Sequence, residues 1–156
     1  MAAKVLVIDG QGGGLGRQLV SALAAACPEA ELTAVGTNSL AANAMLKAGA
    51  SRAATGENAV VVNCRRADVI VGPIGIVIAD ALLGEITPAM AAAVCQCGAK
   101  RVLVPNQPLR ELCGRCAGSA RQPARGGCGP ESEGTLFRDR LSGLFFKLLE
   151  TGEAAC

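Results

Sequence analysis

Few side chains in this sequence can do chemistry on their own. It has no His and no Tyr, which removes the commonest general acid/base, the Ser-His and Cys-His dyads, and imidazole metal ligands. What remains is a set of carboxylates, Asp9, Asp80 and Glu85, eight cysteines, and one stretch in which the backbone itself is the reagent. That stretch is Asp9-Gly-Gln-Gly-Gly-Gly-Leu-Gly16, where five of the seven residues after the Asp are Gly. Glycines let a ligand approach the main chain closely and turn N–H groups toward it. When a helix follows, its unpaired first-turn donors and positive dipole end favour an anion such as a phosphate.

The elements around the loop have the order such a site needs. Val5, Leu6, Val7 and Ile8 are an apolar run suited to a strand buried on both faces of a parallel sheet. After the loop, Leu15, Leu19, Leu23 and Ala26 recur at helical spacing, and Pro28 ends that helix near Cys27. Glu31–Gly36 is a second strand, which completes a right-handed βαβ unit. Gly10, Gly14 and Gly16 fit G-x-x-x-G-x-G, and Gly10, Gly12 and Gly16 fit G-x-G-x-x-x-G; strand, glycine loop and helix follow in the order of nucleotide-binding α/β folds.

Further along, the pattern predicts a helix over 40–47 ending at Gly49 and a short third strand over 52–55. A helix over 57–67 follows with Thr55 as its N-cap, then a fourth strand over 68–73. An almost wholly apolar helix is expected over 74–83, then a helix to about Gln96 capped by Thr87 with Pro88 at its first position, and a fifth strand over 100–105. This is a three-layer Rossmann-like α/β domain with a five-stranded parallel sheet ordered 3-2-1-4-5. Its switch point lies between strands one and four, where Asp9–Gly16 meets Gly72-Pro73-Ile74-Gly75.

The end of the second strand bears on ligand identity. A dinucleotide site places there an acid that accepts from the ribose hydroxyls. Here the chain has Gly36-Thr37-Asn38-Ser39, with no acid and no Arg or Lys, so an NAD-type reading weakens and a 2′-phosphate would meet only hydroxyl and amide donors. Asn38 or Ser39 can equally serve as a helix cap. The candidate ligand-binding residues are therefore Asp9, Gly10, Gln11, Gly12, Gly13, Gly14, Leu15, Gly16, Thr37, Asn38, Gly72, Pro73 and Ile74, and the candidate ligands are NADP, NAD or another nucleotide. Asp9 would repel a phosphate unless a hydroxyl or metal ion intervened, or it could accept from loop N–H groups and hold the turn. Asp80 needs a partner if buried and is otherwise a solvated edge residue; Glu85 is a loop or pre-cap carboxylate.

Four stretches, Val-Ile-Asp-Gly-Gln-Gly-Gly-Gly-Leu-Gly16, Val-Gly-Thr-Asn38, Ala-Thr-Gly-Glu-Asn-Ala59 and the run from Ala67 to Met90, together resemble a family of short bacterial proteins, the domain of unknown function DUF3842, over about residues 3–106. The resemblance implies a small cytoplasmic protein with a Rossmann-like glycine loop, and it brings no catalytic residue with it. The glycine spacing is also that of short-chain dehydrogenases, whose usual proton donor is a Tyr, absent here.

Composition bounds the rest. A net charge of +2 with mixed signs, and 2% aromatic residues, argue against a nucleic-acid partner. The longest apolar run, residues 69–83, is interrupted and too short for a membrane span. No signal region opens the chain, so a cytoplasmic location with reduced thiols is expected. The Ala-rich apolar surplus suggests a homodimer face. Residues 1–106 form the domain, 107–134 a Cys/Gly/Pro/Arg-rich linker, and 135–156 an amphipathic helix and tail carrying Leu136, Leu141, Leu144, Phe145, Leu148 and Leu149. Cys95-x-Cys97 and Cys113-x-x-Cys116, fifteen residues apart, approach a four-thiolate spacing, with Cys128 and Cys156 as substitutes, so a metal or redox module is an alternative. Two others stay open: an NAD(P)-type oxidoreductase acting with a partner, and a structural subunit without ligand.

Overall fold

The computed structural model describes residues 2–105. Five strands, β1 (Lys4–Asp9), β2 (Glu31–Gly36), β3 (Arg52–Thr55), β4 (Val69–Pro73) and β5 (Lys100–Val104), form one parallel sheet in the order β3-β2-β1-β4-β5. Helices α1 (Gly14–Ala26), α2 (Ser39–Lys47), α3 (Glu57–Cys64) and α4 (Pro88–Gln96) cover it. The architecture is the three-layer, Rossmann-like one that the alternation of strands and helices predicts.

Period-2 alternation sorts the strand residues onto the two faces. Leu6, Ile8, Val35 and Ile70 pack with Val60 and Cys64 of α3 and with Met90, Ala91 and Val94 of α4. Their neighbours Val5, Val7, Ala34 and Val71 lie on the other face and are equally buried, as are Leu19, Val20 and Leu23 of α1 and Met45 of α2. Both faces of the central strands are thus apolar, which accounts for their near-continuous hydrophobic sequences.

Helix ends follow their caps. Asn38 accepts from the Ala41 N–H at 2.9 Å and starts α2. Thr87 accepts from the Met90 N–H at 3.2 Å and also donates its hydroxyl to Glu57, so the starts of α3 and α4 are tied together. Arg101 donates to the carbonyls of Val94, Cys95 and Cys97 at 3.1 Å and closes the carboxyl end of α4, where a cation also meets the negative dipole end.

Two local expectations are corrected. Thr55 does not cap α3: it remains in β3, paired with Gly36, and Gly56 takes the cap position at φ +91° while donating to the Gly36 carbonyl at 3.0 Å. That helix also ends at Cys64, three residues before Ala67, because Arg66 and Ala67 both fold back onto the Asn63 carbonyl and Asp68 must join β1. The Asp68 carboxylate accepts from the Lys4 N–H at 2.8 Å and its N–H donates to the Lys4 carbonyl at 2.9 Å.

The larger correction concerns residues 74–83, which do not form an apolar helix. A single 3₁₀ turn, Ile74–Val77, follows β4; Ile78 is extended, and Asp80, Leu82, Leu83 and Gly84 all adopt left-handed φ of 54–86°. For the three non-glycines this costs roughly 1–2 kcal/mol each. The folded-back loop is held by the Asp80 N–H to the Ile86 carbonyl at 2.7 Å and the Ile86 N–H to the Ala81 carbonyl at 3.2 Å. It buries Ile76 and Ile86 completely, whereas Ile74, Ile78 and Leu83 stay 46–96% exposed. A continuous helix would have needed cover for all of them. The loop instead delivers Leu82 and Glu85 to the glycine stretch.

Candidate functional site

The carboxyl ends of β1, β2 and β4 converge, but not evenly. Pairing of β1 with β2 runs to Asp9 opposite Gly36 and continues as the Thr37 N–H to the Asp9 carbonyl at 3.0 Å, while the β1–β4 register stops at Val7 opposite Val71. The strands therefore part at the topological switch point, where open α/β sheets bind their ligands.

Asp9 organises the loop that leaves β1. Its side chain is 5% exposed, and its two oxygens accept from the Gly10 N–H at 2.8 Å and the Gly16 N–H at 2.6 Å. Burial pushes its carboxyl above the usual value; the Gly16 and Gly10 N–H groups pull the other way, and the charge of Glu85 adds to the rise. Of the two roles the sequence allows this residue, the structure displays the clasp that fixes the turn. Within it the Gly13 N–H meets the Gly10 carbonyl at 2.9 Å, with Gln11 and Gly13 at positive φ.

The five glycines divide into two groups. A Cβ at Gly10 would stand 2.6 Å from a Glu85 oxygen and 2.9 Å from Leu82 and Thr37; one at Gly13 would stand 2.7 Å from Ala41; one at Gly16 would stand 2.6 Å from Met45 and 2.7 Å from Asp9. Gly13 is held by its left-handed φ and the Ala41 backbone, and Gly10 and Gly16 fit closely against neighbouring side chains. A Cβ at Gly12 or Gly14 would meet nothing within 4 Å among the described residues, and neither residue has left-handed φ. Beside them, the N–H groups of Gly12, Gly14 and Leu15 meet no acceptor among the described residues, as expected for the start of α1.

At the end of β2, Thr37 and Asn38 are joined by one of the three carboxylates that the sequence offers as candidates for the site. Glu85 accepts from the Gln11 N–H at 2.6 Å and the Thr37 hydroxyl at 2.5 Å, both through Oε2; Asn38 Nδ2 lies 3.3 Å from Oε1 and 2.9 Å from the Gln11 carbonyl. The Gln11 N–H first, then the Thr37 hydroxyl, hold the Glu85 carboxyl below the ordinary value. Asn38 is thus both a cap, through Oδ1, and part of the site, through Nδ2. From the same loop, Leu82 stands between Gly10 and Gly75. Gly72 lies against β1, where a Cβ would run into the Ile8 carbonyl; Pro73 is buried and Ile74 half-exposed. Asp80 is exposed and serves through its backbone.

The model of the family described as Domain of unknown function (DUF3842) matches residues 4–121. The chain belongs to that family. The DUF3842 match takes in the four stretches that carried the resemblance and extends beyond residue 106. No curated protein matches the chain. Among solved structures, a universal stress protein crystallised in complex with cAMP is 24% identical, with a TM-score of 0.41, covering 67% of this chain and 98% of that one. A likeness of that degree carries no argument about the DUF3842 site; the strand order establishes the fold.

Two other features of this DUF3842 chain lie away from the loop. A cleft of about 310 Å³ opens at the opposite, amino edge of the sheet, lined by Lys4, Glu31, Arg52, Asn63 and Arg66 among others. It holds the exposed Arg52–Glu31 ion pair at 2.6 Å. Ligands of such sheets bind at the carboxyl edge, so the switch point is the candidate. Among the described thiols Cys95 is exposed, while Cys97 donates to the Val94 carbonyl at 3.2 Å and neighbours Cys64, whose thiol burial pushes up to about 12. No group of three or more potential metal ligands occurs among the described residues, and Cys113, Cys116, Cys128 and Cys156 lie outside them, as do the linker and the C-terminal amphipathic helix. No helix among the described residues is long and apolar enough to cross a membrane.

Glu85, one of the three carboxylates that the sequence offers at the site and by local context a loop or pre-cap residue, was not placed at the end of β2 by sequence reasoning. The signal for it was the gap at the end of β2, because an open ribose corner invites a search for an acid elsewhere. Glu85 is the one carboxylate between Asp80 and Pro105.

Proposed function

We propose that this protein binds a nucleotide or another phosphate-bearing metabolite at the carboxyl edge of β1, with a phosphate on the N–H groups of Gly12, Gly14 and Leu15. The observation that carries this reading is the division of the glycines. Gly10, Gly13 and Gly16 answer to contacts inside the fold, whereas Gly12 and Gly14 answer to none among the described residues. A side chain is missing at these two positions where only an incoming group would need the space. Beside them stand three N–H donors without acceptors among the described residues, at the positive end of a 13-residue helix.

The proposed candidates for the ligand are NAD, NADP or another nucleotide, held by the loop from Asp9 to Gly16 with Thr37, Asn38 and the Gly72-Pro73-Ile74 segment at its border. Asp9 acts here as the clasp of the loop. The same proposal includes a homodimer, on the ground of the Ala-rich apolar surplus, and binding without turnover by the chain alone, since it has neither His nor Tyr.

Native mass spectrometry of freshly purified protein reads subunit number, metal and co-purified ligand together. A thermal-shift panel of NAD, NADP, FAD, ATP, GTP and phosphate follows, repeated on Gly12→Val and Gly14→Val. A nucleotide that raises the melting temperature of the wild type and not of these variants supports the loop as the site. No shift with any of them, and a mass without ligand, removes the reading.

A further inference from the structure

We propose that Glu85 is the ribose receptor of this site and selects nucleotides whose ribose has both hydroxyls free, against those with a 2′-phosphate. The inference rests on the nucleotide reading above and names the ligand class within it. In dinucleotide-binding folds the ribose acid stands at the end of the second strand. That position has no acid in this chain, because Gly36 is followed by Thr37 and Asn38. The structure fills the corner from elsewhere: the Glu85 carboxylate lies on Thr37, Asn38 and the Gln11 N–H, 48 residues after Thr37 in sequence. The loop that brings it there also sets Leu82 between Gly10 and Gly75.

The two oxygens of Glu85 are not equivalent. Oε2 takes the two short bonds, from the Gln11 N–H at 2.6 Å and the Thr37 hydroxyl at 2.5 Å, and these fix the direction of the carboxylate. Among the described residues Oε1 has a single long contact, Asn38 Nδ2 at 3.3 Å, so its lone pairs remain for further donors. A sugar diol supplies two. Asn38, whose Nδ2 is donated mainly to the Gln11 carbonyl at 2.9 Å, keeps that corner rigid.

Charge decides between ligands. The groups holding Glu85 are uncharged donors that stabilise its ionised form, and its charge is felt at Asp9, whose carboxyl it helps to raise. A 2′-phosphate placed there would face a carboxylate with no Lys or Arg among the described residues that touch it. A pair of hydroxyls would gain hydrogen bonds to a charged acceptor. The site is therefore polarised: N–H groups at Gly12, Gly14 and Leu15 for the phosphate, a carboxylate at Glu85 for the sugar.

The test titrates the full-length protein calorimetrically with NAD, NADP, ATP and 2′-deoxy-ATP, and repeats the series on Glu85→Gln. Loss of a hydrogen bond to a charged group predicts that the wild type prefers NAD over NADP, and ATP over 2′-deoxy-ATP, by about tenfold or more. Glu85→Gln is expected to weaken NAD and ATP by about tenfold to a hundredfold and to narrow both preferences. Equal wild-type affinity within both pairs overturns the ribose role and leaves the nucleotide reading standing, as do preferences that survive unchanged in Glu85→Gln. The wild-type ligand pairs decide the matter even if that variant fails to fold. Failure of all four ligands to bind overturns both readings.

Discussion

Replacing Gly12 or Gly14 with Ala should make the protein more stable and a poorer binder. The stability half follows from geometry: at both positions a Cβ meets nothing within 4 Å and φ lies outside the left-handed region, so Ala fits without strain. An Ala that fits narrows the unfolded ensemble and stabilises by about 0.4–1 kcal/mol. At Gly14, the first residue of α1, the better helix propensity of Ala acts in the same direction. For a folded unit of roughly 100 residues this corresponds to a rise in melting temperature of about 2–8 °C for each substitution. Gly16→Ala supplies the contrast, because its Cβ would stand 2.6 Å from Met45 Sδ and 2.7 Å from Asp9 Cβ; overpacking of that kind costs about 1–3 kcal/mol.

The binding half has the opposite sign. A methyl group at residue 12 or 14 occupies the approach to the free N–H groups, and a phosphate kept from one charge-assisted hydrogen bond loses about 1.5–3 kcal/mol, or about tenfold to a hundredfold in affinity. Thermal melts followed by circular dichroism, with and without saturating NAD or ATP, read both halves in one experiment. Apo variants that melt higher and shift less with nucleotide are the expected result. If Gly12→Ala and Gly14→Ala lower the apo melting temperature, the glycines have an internal role and the argument from open space fails. If the melts rise and nucleotide affinity is unchanged, the phosphate does not lie on this loop.

Three further outcomes are expected. The Glu85 carboxyl is held below its ordinary value of 4.5, so its contribution to stability is complete above that value and is lost as the pH falls through its lowered one; denaturant titrations of wild type and Glu85→Gln should differ at neutral pH and converge in acid below about 4.5. Thr87→Ala removes both the cap of α4 and the bond to Glu57, and should cost about 1–2 kcal/mol in chemical denaturation, with Thr87→Ser restoring most of it. Brief treatment of the native protein with iodoacetamide at mildly alkaline pH should modify the exposed Cys95 and spare the buried Cys64, whose thiol is pushed up to about 12, as peptide mass spectrometry would show.

The sheet was legible because its strands are short apolar runs closed by residues that cannot extend them, such as the Gly36 and Pro73 that end β2 and β4. Asp9 was legible as a clasp for a similar local reason: an Asp next to a glycine turn finds N–H groups within a few residues. Residues 74–83 were not legible. Ten nearly continuous apolar residues satisfy a helix and a buried loop alike when counted by periodicity. What decides between them is tertiary: Ile86 has a place in the core under α4, and Leu82 has one between Gly10 and Gly75. The cap of α3 was lost on a similar tie, since Thr55 and Gly56 both suit a helix start and the pairing of Thr55 with Gly36 settles it. Glu85 could be named as a candidate carboxylate, but its seat on Thr37 and Asn38 was beyond local reasoning, because its main partner, the Gln11 N–H, lies 74 residues away.

The arrangement of the two carboxylates shows why acids can stand beside a loop proposed to take a phosphate. A buried Asp is costly unless its oxygens are satisfied. At Asp9 both are, and by N–H groups at the two ends of the loop, Gly10 and Gly16. A Ser offers one oxygen, and an Asn would turn a donor toward one of the two N–H groups; among short side chains only a carboxylate presents two acceptors at that span. The charge is thus directed inward, against the backbone it organises, and the N–H groups of Gly12, Gly14 and Leu15 remain outside the clasp. Glu85 does the same at the other end, spending Oε2 on Gln11 and Thr37. Each acid first shapes backbone, and what either can offer a ligand is what its hydrogen bonds leave over: little at Asp9, and the Oε1 lone pairs at Glu85.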